Sequence, residues 1–187
     1  MAAFLVTGNP GSGKTTLAQE LSRRGLTAMD ADCVPRLCHY RDDAGKTYSR
    51  AEAPLMPDEH WLSTHHWVWD RTRLQEVLCE QPGPVFMCGI ALNVREVIDL
   101  FDRVFLLRID AETQEERLLA YDLSSPRSVR NEAGRQQIRA GRPFFEAEML
   151  NLGAVAVDGN ASATAVADAI VQLVSRCAPR NGEAAGH

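Results

Sequence analysis

Short, continuous apolar runs alternate along this chain with stretches whose apolar residues recur at helical spacing. Ala3-Phe4-Leu5-Val6 is the first such run, and Thr15-Thr16-Leu17-Ala18-Gln19-Glu20-Leu21 the first helical stretch. Apolar runs without polar alternation mark strands covered on both faces. The pattern predicts strands at about 3–7, 26–30, 84–88, 103–108 and 153–157. It predicts helices at about 14–24, 32–40, 70–80, 93–101, 111–121, 132–150 and 162–176. Capping residues stand before three of them: Asn93, Asp110, and Asn160 or Ser162, each able to satisfy a free N–H of the first turn. Strands alternating with helices in this way predict an α/β fold with a mostly parallel sheet between two helical layers.

Two stretches interrupt the rhythm. Residues 41–69 collect turn formers and then a dense aromatic patch, His60-Trp61 and His65-His66-Trp67-Val68-Trp69. Residues 122–135 are polar and rich in helix breakers. Insertions after strand–helix units are tolerated, and ligands collect there. We therefore expect a substrate-binding insertion at 41–69 and a lid at 122–135, within one domain spanning 1–177. Residues 178–187 read as a flexible tail. A chain of 187 residues can bury an adequate core without disulfide staples.

The turn between the first strand and first helix carries the most specific chemistry. Gly8-Asn9-Pro10-Gly11-Ser12-Gly13-Lys14-Thr15 is a complete G-x-x-x-x-G-K-T phosphate loop. Glycines let successive backbone N–H groups curl around a polyphosphate, and the helix N-terminus adds partial positive charge. Lys14 is placed to reach the β- and γ-phosphates, and Thr15, followed by Thr16, to enter the shell of a Mg²⁺ ion. The expected cofactors are ATP and Mg²⁺.

The second strand ends in Met29-Asp30-Ala31-Asp32. Two carboxylates at the C-terminal edge of a parallel sheet lie where ligands gather. One of them suits a metal-bound water and the other suits a proton taken from an attacking hydroxyl. The same residues also suit a turn and a helix cap, and the two roles are compatible.

Lys14, Asp30-x-Asp32 and a third strand ending in glycine (Val85-Phe86-Met87-Cys88-Gly89) together resemble one branch of P-loop small-molecule kinases, that of shikimate kinases and adenylate-kinase-like nucleoside monophosphate kinases. The resemblance implies a three-layer α/β/α P-loop NTPase fold, a five-stranded parallel sheet of order 2-3-1-4-5, a lid and a substrate-binding insertion. It implies that the two aspartates serve metal-linked water and substrate hydroxyl, and that Gly89 stands where a Walker-B aspartate is more familiar. Val104-Phe105-Leu106-Leu107-Arg108-Ile109-Asp110 with Glu115-Glu116-Arg117-Leu118 looks like the strand and helix carrying an adenine-facing arginine, Arg117. Val155-Ala156-Val157-Asp158-Gly159-Asn160 looks like the strand and loop on the far side of the adenine. The arginine pattern that shikimate kinases carry after the second strand is missing. Arg50, Arg71 and Arg73 lie among tryptophans and histidines instead, so shikimate itself is not the expected acceptor.

Six arginines lie between 117 and 142: Arg117, Arg127, Arg130, Arg135, Arg139 and Arg142. Phosphoryl transfer needs cations over the γ-phosphate when a lid closes and excludes water. Arg127 and Arg130 are the first candidates for that role, and Arg139 and Arg142 for contacts to substrate, though nearby glutamates could pair with any of them. Trp61 and Trp67 suit a flat or sugar-like acceptor, and equally suit packing of a small cap on the sheet. His60, His65 and His66 lack the further ligands that a metal site needs.

The net charge of −5 argues against a dedicated nucleic-acid binder. Cys33, Cys38, Cys79, Cys88 and Cys177 form no C-x-x-C pair and read as reduced thiols of a cytoplasmic protein. No leader is expected before the first strand, and no apolar run is long enough to cross a membrane. The expectation is an ATP- and Mg²⁺-dependent phosphotransferase acting on a small-molecule hydroxyl or phosphate, in a metabolite or an antibiotic. A nucleoside or nucleotide kinase is the alternative within this class. A nucleotide-binding sensor or weak NTPase is the alternative outside it. No N-K-x-D motif supports a guanine switch.

Overall fold

The structure, a computed structural model, describes residues 2–55, 57–121 and 132–176. In chain order its elements are β1 (Ala3–Thr7), α1 (Lys14–Arg23), β2 (Thr27–Asp30), β3 (Cys38–Asp42), β4 (Thr47–Tyr48), α2 (Glu59–Thr64), β5 (His65–Trp69) and α3 (Arg71–Cys79). These are followed by β6 (Val85–Cys88), α4 (Val94–Val97), β7 (Arg103–Arg108), α5 (Ala111–Tyr121), α6 (Glu132–Asn151), β8 (Val155–Asp158) and α7 (Ala163–Ser175). Tight 3₁₀ turns follow β2 at Ala31–Cys33 and α4 at Ile98–Leu100.

The main sheet has the order β2-β6-β1-β7-β8, and every pairing in it is parallel. Counted among its own strands, this is 2-3-1-4-5. β1 is central, paired on both edges, and all five of its residues are buried. Its side chains alternate between two cores. Leu5 joins Leu74, Val97, Leu106 and Met149 under α3, α4 and α6. Phe4 and Val6 join Leu17, Leu21, Phe105 and Ile170 under α1 and α7. The result is a three-layer α/β/α molecule in whose sheet β2, β6 and β1 run side by side.

The five core strands fall where the apolar runs place them. The expected helix at 32–40 does not form. Pro35 pushes Val34 into extended backbone, and Arg36 takes a left-handed φ of 64°, so no helix can propagate. The chain instead becomes β3, which pairs antiparallel with β4 and β5 in a separate three-stranded sheet, β4-β3-β5. The aromatic run His65–Trp69 is therefore a strand, and among the described residues of 41–69 only α2 is helical. The helix expected at 93–101 is one α-turn followed by a 3₁₀ turn. Residues 122–131 of the expected lid lie outside the described residues, and 132–135 begin α6. The expected tail at 178–187 also lies outside them.

Trp69 joins the small sheet to the large one. It is 2% exposed. Its backbone N–H donates to Asn93 Oδ1 at 3.0 Å, and Asn93 Nδ2 donates back to its carbonyl at 3.0 Å. The indole fills the space over Gly89, where a Cβ would lie 2.5 Å from Trp69 Cζ2 and 2.6 Å from Ala31 Cβ. Gly89→Ala is therefore expected to destabilise the fold by about 1–3 kcal/mol through overpacking. Chemical denaturation checks this, and an unchanged midpoint would refute the packing argument.

Candidate functional site

A cleft of about 850 Å³ opens at the C-terminal end of the main sheet. The phosphate loop forms its floor. Gly11 and Gly13 have φ of 87° and 94°, a left-handed conformation that is inexpensive for glycine alone. Gly8 is glycine because of close approach: a Cβ there would lie 2.7 Å from the carbonyl oxygen of Leu107. Gly13 caps α1 without any side-chain hydrogen bond, and no acidic residue lies in the first turn. The N–H groups at this helix end thus face a concavity suited to anionic oxygens. Lys14 Nζ donates to the carbonyls of Gly8 at 2.6 Å and Asn9 at 3.1 Å.

Two residues brace the loop from α5. Gln114, 2% exposed, donates to the Pro10 carbonyl at 2.9 Å. Arg117 Nη1 reaches the carbonyls of Gly11 at 3.3 Å and Gly159 at 3.1 Å, joining the loop to the turn after β8. Arg117 lines the cleft, as does Gly159. Asp158 does not line it; its carboxylate accepts from Asn160 N–H at 2.9 Å and shapes the turn.

Thr15 Oγ1 donates to Asp30 Oδ2 at 2.6 Å. Asp30 Oδ1 accepts from Asp32 N–H at 3.0 Å, so this carboxylate caps the 3₁₀ turn as well as meeting the loop. A hydroxyl and a carboxylate beside a phosphate cradle are hard oxygen donors, the set Mg²⁺ takes when phosphates and water complete its shell. Among the described residues no group of three or more His, Cys, Asp or Glu could hold a metal alone. These residues therefore fit an ion shared with a bound polyphosphate.

Asp32 lies where the phosphate half of the cleft meets a second half. Tyr40 and Trp67 from the small sheet, Leu62 from α2, Leu92 after β6, and Ile138 and Phe145 from α6 form apolar walls there. Trp67 Nε1 donates to Asp32 Oδ1 at 3.3 Å. Arg50 reaches Asp32 Oδ2 at 3.3 Å and lies over the Trp67 ring, 4.8 Å from its centroid. Trp61 is outside the cleft: it stacks on His65 at 4.4 Å and braces Tyr40 edge-on at 4.6 Å. Gly89 lines the cleft beneath this wall.

The later arginines divide. Arg139 pairs with Glu115 at 2.8 Å and Glu132 at 3.2 Å on the surface. Arg142 donates to Glu146 at 3.1 Å, to Gln114 at 3.4 Å and to the Ile109 carbonyl. Glu146 is only 7% exposed and also accepts from Arg108 at 2.8 Å, so the buried carboxylate has the partners it requires. Neither Arg139 nor Arg142 reaches the cleft wall. Arg127 and Arg130 lie outside the described residues.

Sequence reasoning brought together the loop, Asp30, Asp32, Trp67, Gly89 and Arg117. It gave no role to Arg50, Tyr40, Leu62 or Gln114, because nothing local marks a residue that reaches the site from another element. The one available signal was Arg50, an unassigned cation inside an aromatic segment.

A sheet order with β1 central, a glycine cradle at its end and a hydroxyl–carboxylate pair beside it define a P-loop nucleotide-binding protein. A family model described as an AAA domain matches residues 5–136, and the chain belongs to that family. It is 24% identical over 168 residues to a dephospho-CoA kinase of Colwellia psychrerythraea, covering 78% of this chain and 83% of that one. Shikimate kinase from Acinetobacter baumannii in complex with shikimate superposes with a TM-score of 0.60 at 18% identity, over 96% of each chain. Deoxyadenosine kinase from M. mycoides gives 0.57 at 13% identity, over 93% of this chain and 99% of that one. The fold is thus that of P-loop small-molecule kinases. No described helix is long and apolar enough to cross a membrane.

Among the described residues four cysteines are free: Cys33 and Cys79 exposed, Cys38 half-buried and Cys88 buried at the end of β6. Burial pushes the Cys88 thiol up to about 12, with Asp30 adding to the shift. Burial, and then the charge of Asp32, raises Cys38 strongly as well. Thiols alkylate as thiolates. Iodoacetamide at about pH 8 should therefore modify neither Cys38 nor Cys88 until the protein is unfolded. Peptide mass spectrometry checks this, and rapid native labelling of Cys88 would contradict the burial argument.

Proposed function

We propose that the protein is an ATP- and Mg²⁺-dependent phosphotransferase that moves the γ-phosphoryl group to a hydroxyl, or a phosphate, of a small molecule. The observation that carries this reading is the Thr15–Asp30 contact at 2.6 Å with Asp32 two residues on, at the join of the two cleft halves. A pure nucleotide sensor needs the loop but not a carboxylate at the mouth of a second, apolar-walled chamber. The kinases named above, two of them superposing on this fold, support the same reading.

Bound ATP would supply the phosphoryl group, and Mg²⁺ held by Thr15 and Asp30 would offset the charge of the phosphates. The N–H groups of Gly11 to Thr15 bind the phosphate oxygens. Lys14 leaves the loop carbonyls for the γ-phosphate and stabilises the charge that spreads there during transfer. Thr15 and Asp30 hold the metal. Asp32 orients the acceptor and takes its proton. Arg117, Gly159 and the turn shaped by Asp158 bound the adenine side. Arg127 and Arg130 bring positive charge with the lid, while Arg139 and Arg142 act at one remove, by fixing α6 against α5. Free thiols suit a reducing cytoplasm.

The test is ATP consumption with Mg²⁺ against hydroxylated metabolites, nucleosides, nucleotides and antibiotics, with mass detection of the added phosphate. Lys14→Ala is expected to lower turnover by about 100-fold or more. Asp32→Asn should cost about 100-fold or more in kcat as a lost base while leaving ATP affinity near wild type. Near wild-type turnover in both Asp30→Asn and Asp32→Asn would sink the assignment. Tight ATP binding with no acceptor phosphorylated would favour a sensor.

A further inference from the structure

Both oxygens of the Asp32 carboxylate are already engaged, one by Trp67 Nε1 at 3.3 Å and the other by Arg50 at 3.3 Å. The two donors are unequal. Trp67 is fixed by its strand: Tyr40 is its partner on β3 and also meets its ring edge-on at 4.7 Å. Arg50 follows β4 in irregular chain, and its side chain is 54% exposed. Exposed ion pairs are weak, and a stacked guanidinium can slide along the ring face that holds it.

We propose that Trp67 and Arg50 are positioning residues for Asp32. The indole N–H fixes one carboxylate oxygen permanently, and the guanidinium covers the other until an acceptor hydroxyl replaces it. The inference rests on the phosphotransfer reading. If Asp32 takes the acceptor's proton, the oxygen that accepts it must be bare at that moment, and Arg50 decides when. With ATP bound and the acceptor site empty, Arg50 keeps Asp32 from deprotonating a water. In that wasteful step the water oxygen would bond to the γ-phosphorus, its proton would pass to Asp32, and the bond to the ADP oxygen would break. Arg50 thereby favours acceptor over water. It does so through a segment, residues 38–69, that shares no element with the phosphate loop.

The test needs no identified acceptor. In the first arm, the nitrogen-15 indole resonances of the whole protein are recorded for wild type, Trp67→Phe and Asp32→Asn. The Trp67 signal, assigned by its loss in Trp67→Phe, should move in Asp32→Asn while those of Trp61 and Trp69 stay. An unmoved Trp67 signal overturns the indole contact. In the second arm, hydrolysis of Mg²⁺-ATP is measured without acceptor. Arg50→Gln should raise the rate by about tenfold, a modest part of what a positioned base supplies, and adding Trp67→Phe should remove most of that gain. A rate in Arg50→Gln at or below wild type, or a gain unaffected by Trp67→Phe, overturns the proposal. Calorimetry with ATP keeps the two readings apart. A wild-type protein that binds no ATP refutes the phosphotransfer reading itself, whereas one that binds ATP and fails the hydrolysis test refutes only the roles of Trp67 and Arg50.

Discussion

The hydrogen bond from Thr15 Oγ1 to Asp30 Oδ2 forms only if two distant pieces of chain agree. The turn after β1 must deliver the first residues of α1 to one point. The register of β2 on β6, in which Asp30 faces Cys88, must deliver the carboxylate to the same point. A slip of one residue in that register would carry Asp30 to the opposite face of the sheet. The apolar residues of β1, β2 and β6 therefore do more than fill a core. Their pairing sets the spacing of the polar atoms at the sheet's edge.

A second constraint acts through shape. Trp69 is the largest fully buried side chain, and it anchors the small antiparallel sheet against the first. Gly89, at the end of β6, leaves the room the indole occupies. Asn93 satisfies the N–H and C=O of Trp69, which would be costly to bury unpaired. The glycine that lines the cleft beneath the aromatic wall thus also carries a packing role, and the two are served by the same missing Cβ.

What was legible in the sequence was local. The phosphate loop, the strands of the main sheet and the Asp30-x-Asp32 pair each depend on a few consecutive residues, and their spacing survives translation into structure. The small sheet was not legible. Its strands lie on either side of a turn-rich stretch, β5 shows no clean alternation, and although Pro35 opposes a helix locally, the pairing of β3 with β5 that replaces it joins residues more than twenty positions apart. The same limit hid Arg50 and Gln114, which reach the site from other elements. It also blurred the arginines of α6. The sequence leaves Arg139 and Arg142 open to substrate contacts or to pairing with nearby glutamates, and in space Glu115, Glu132 and Glu146 take them up.

The antiparallel sheet is tied to the main-sheet layer through Trp69 on Gly89 and Asn93, Trp67 on Asp32 and Leu92, Cys38 on Ala31 and Arg41 on Glu96, all outside the phosphate loop. The loop at the end of β1 and the walls that residues 38–69 give the second half of the cleft therefore come from separate stretches of chain, and a change in one need not displace the other. Trp67 is the wall position that links the two stretches, because its indole is also bonded to Asp32 at the end of β2.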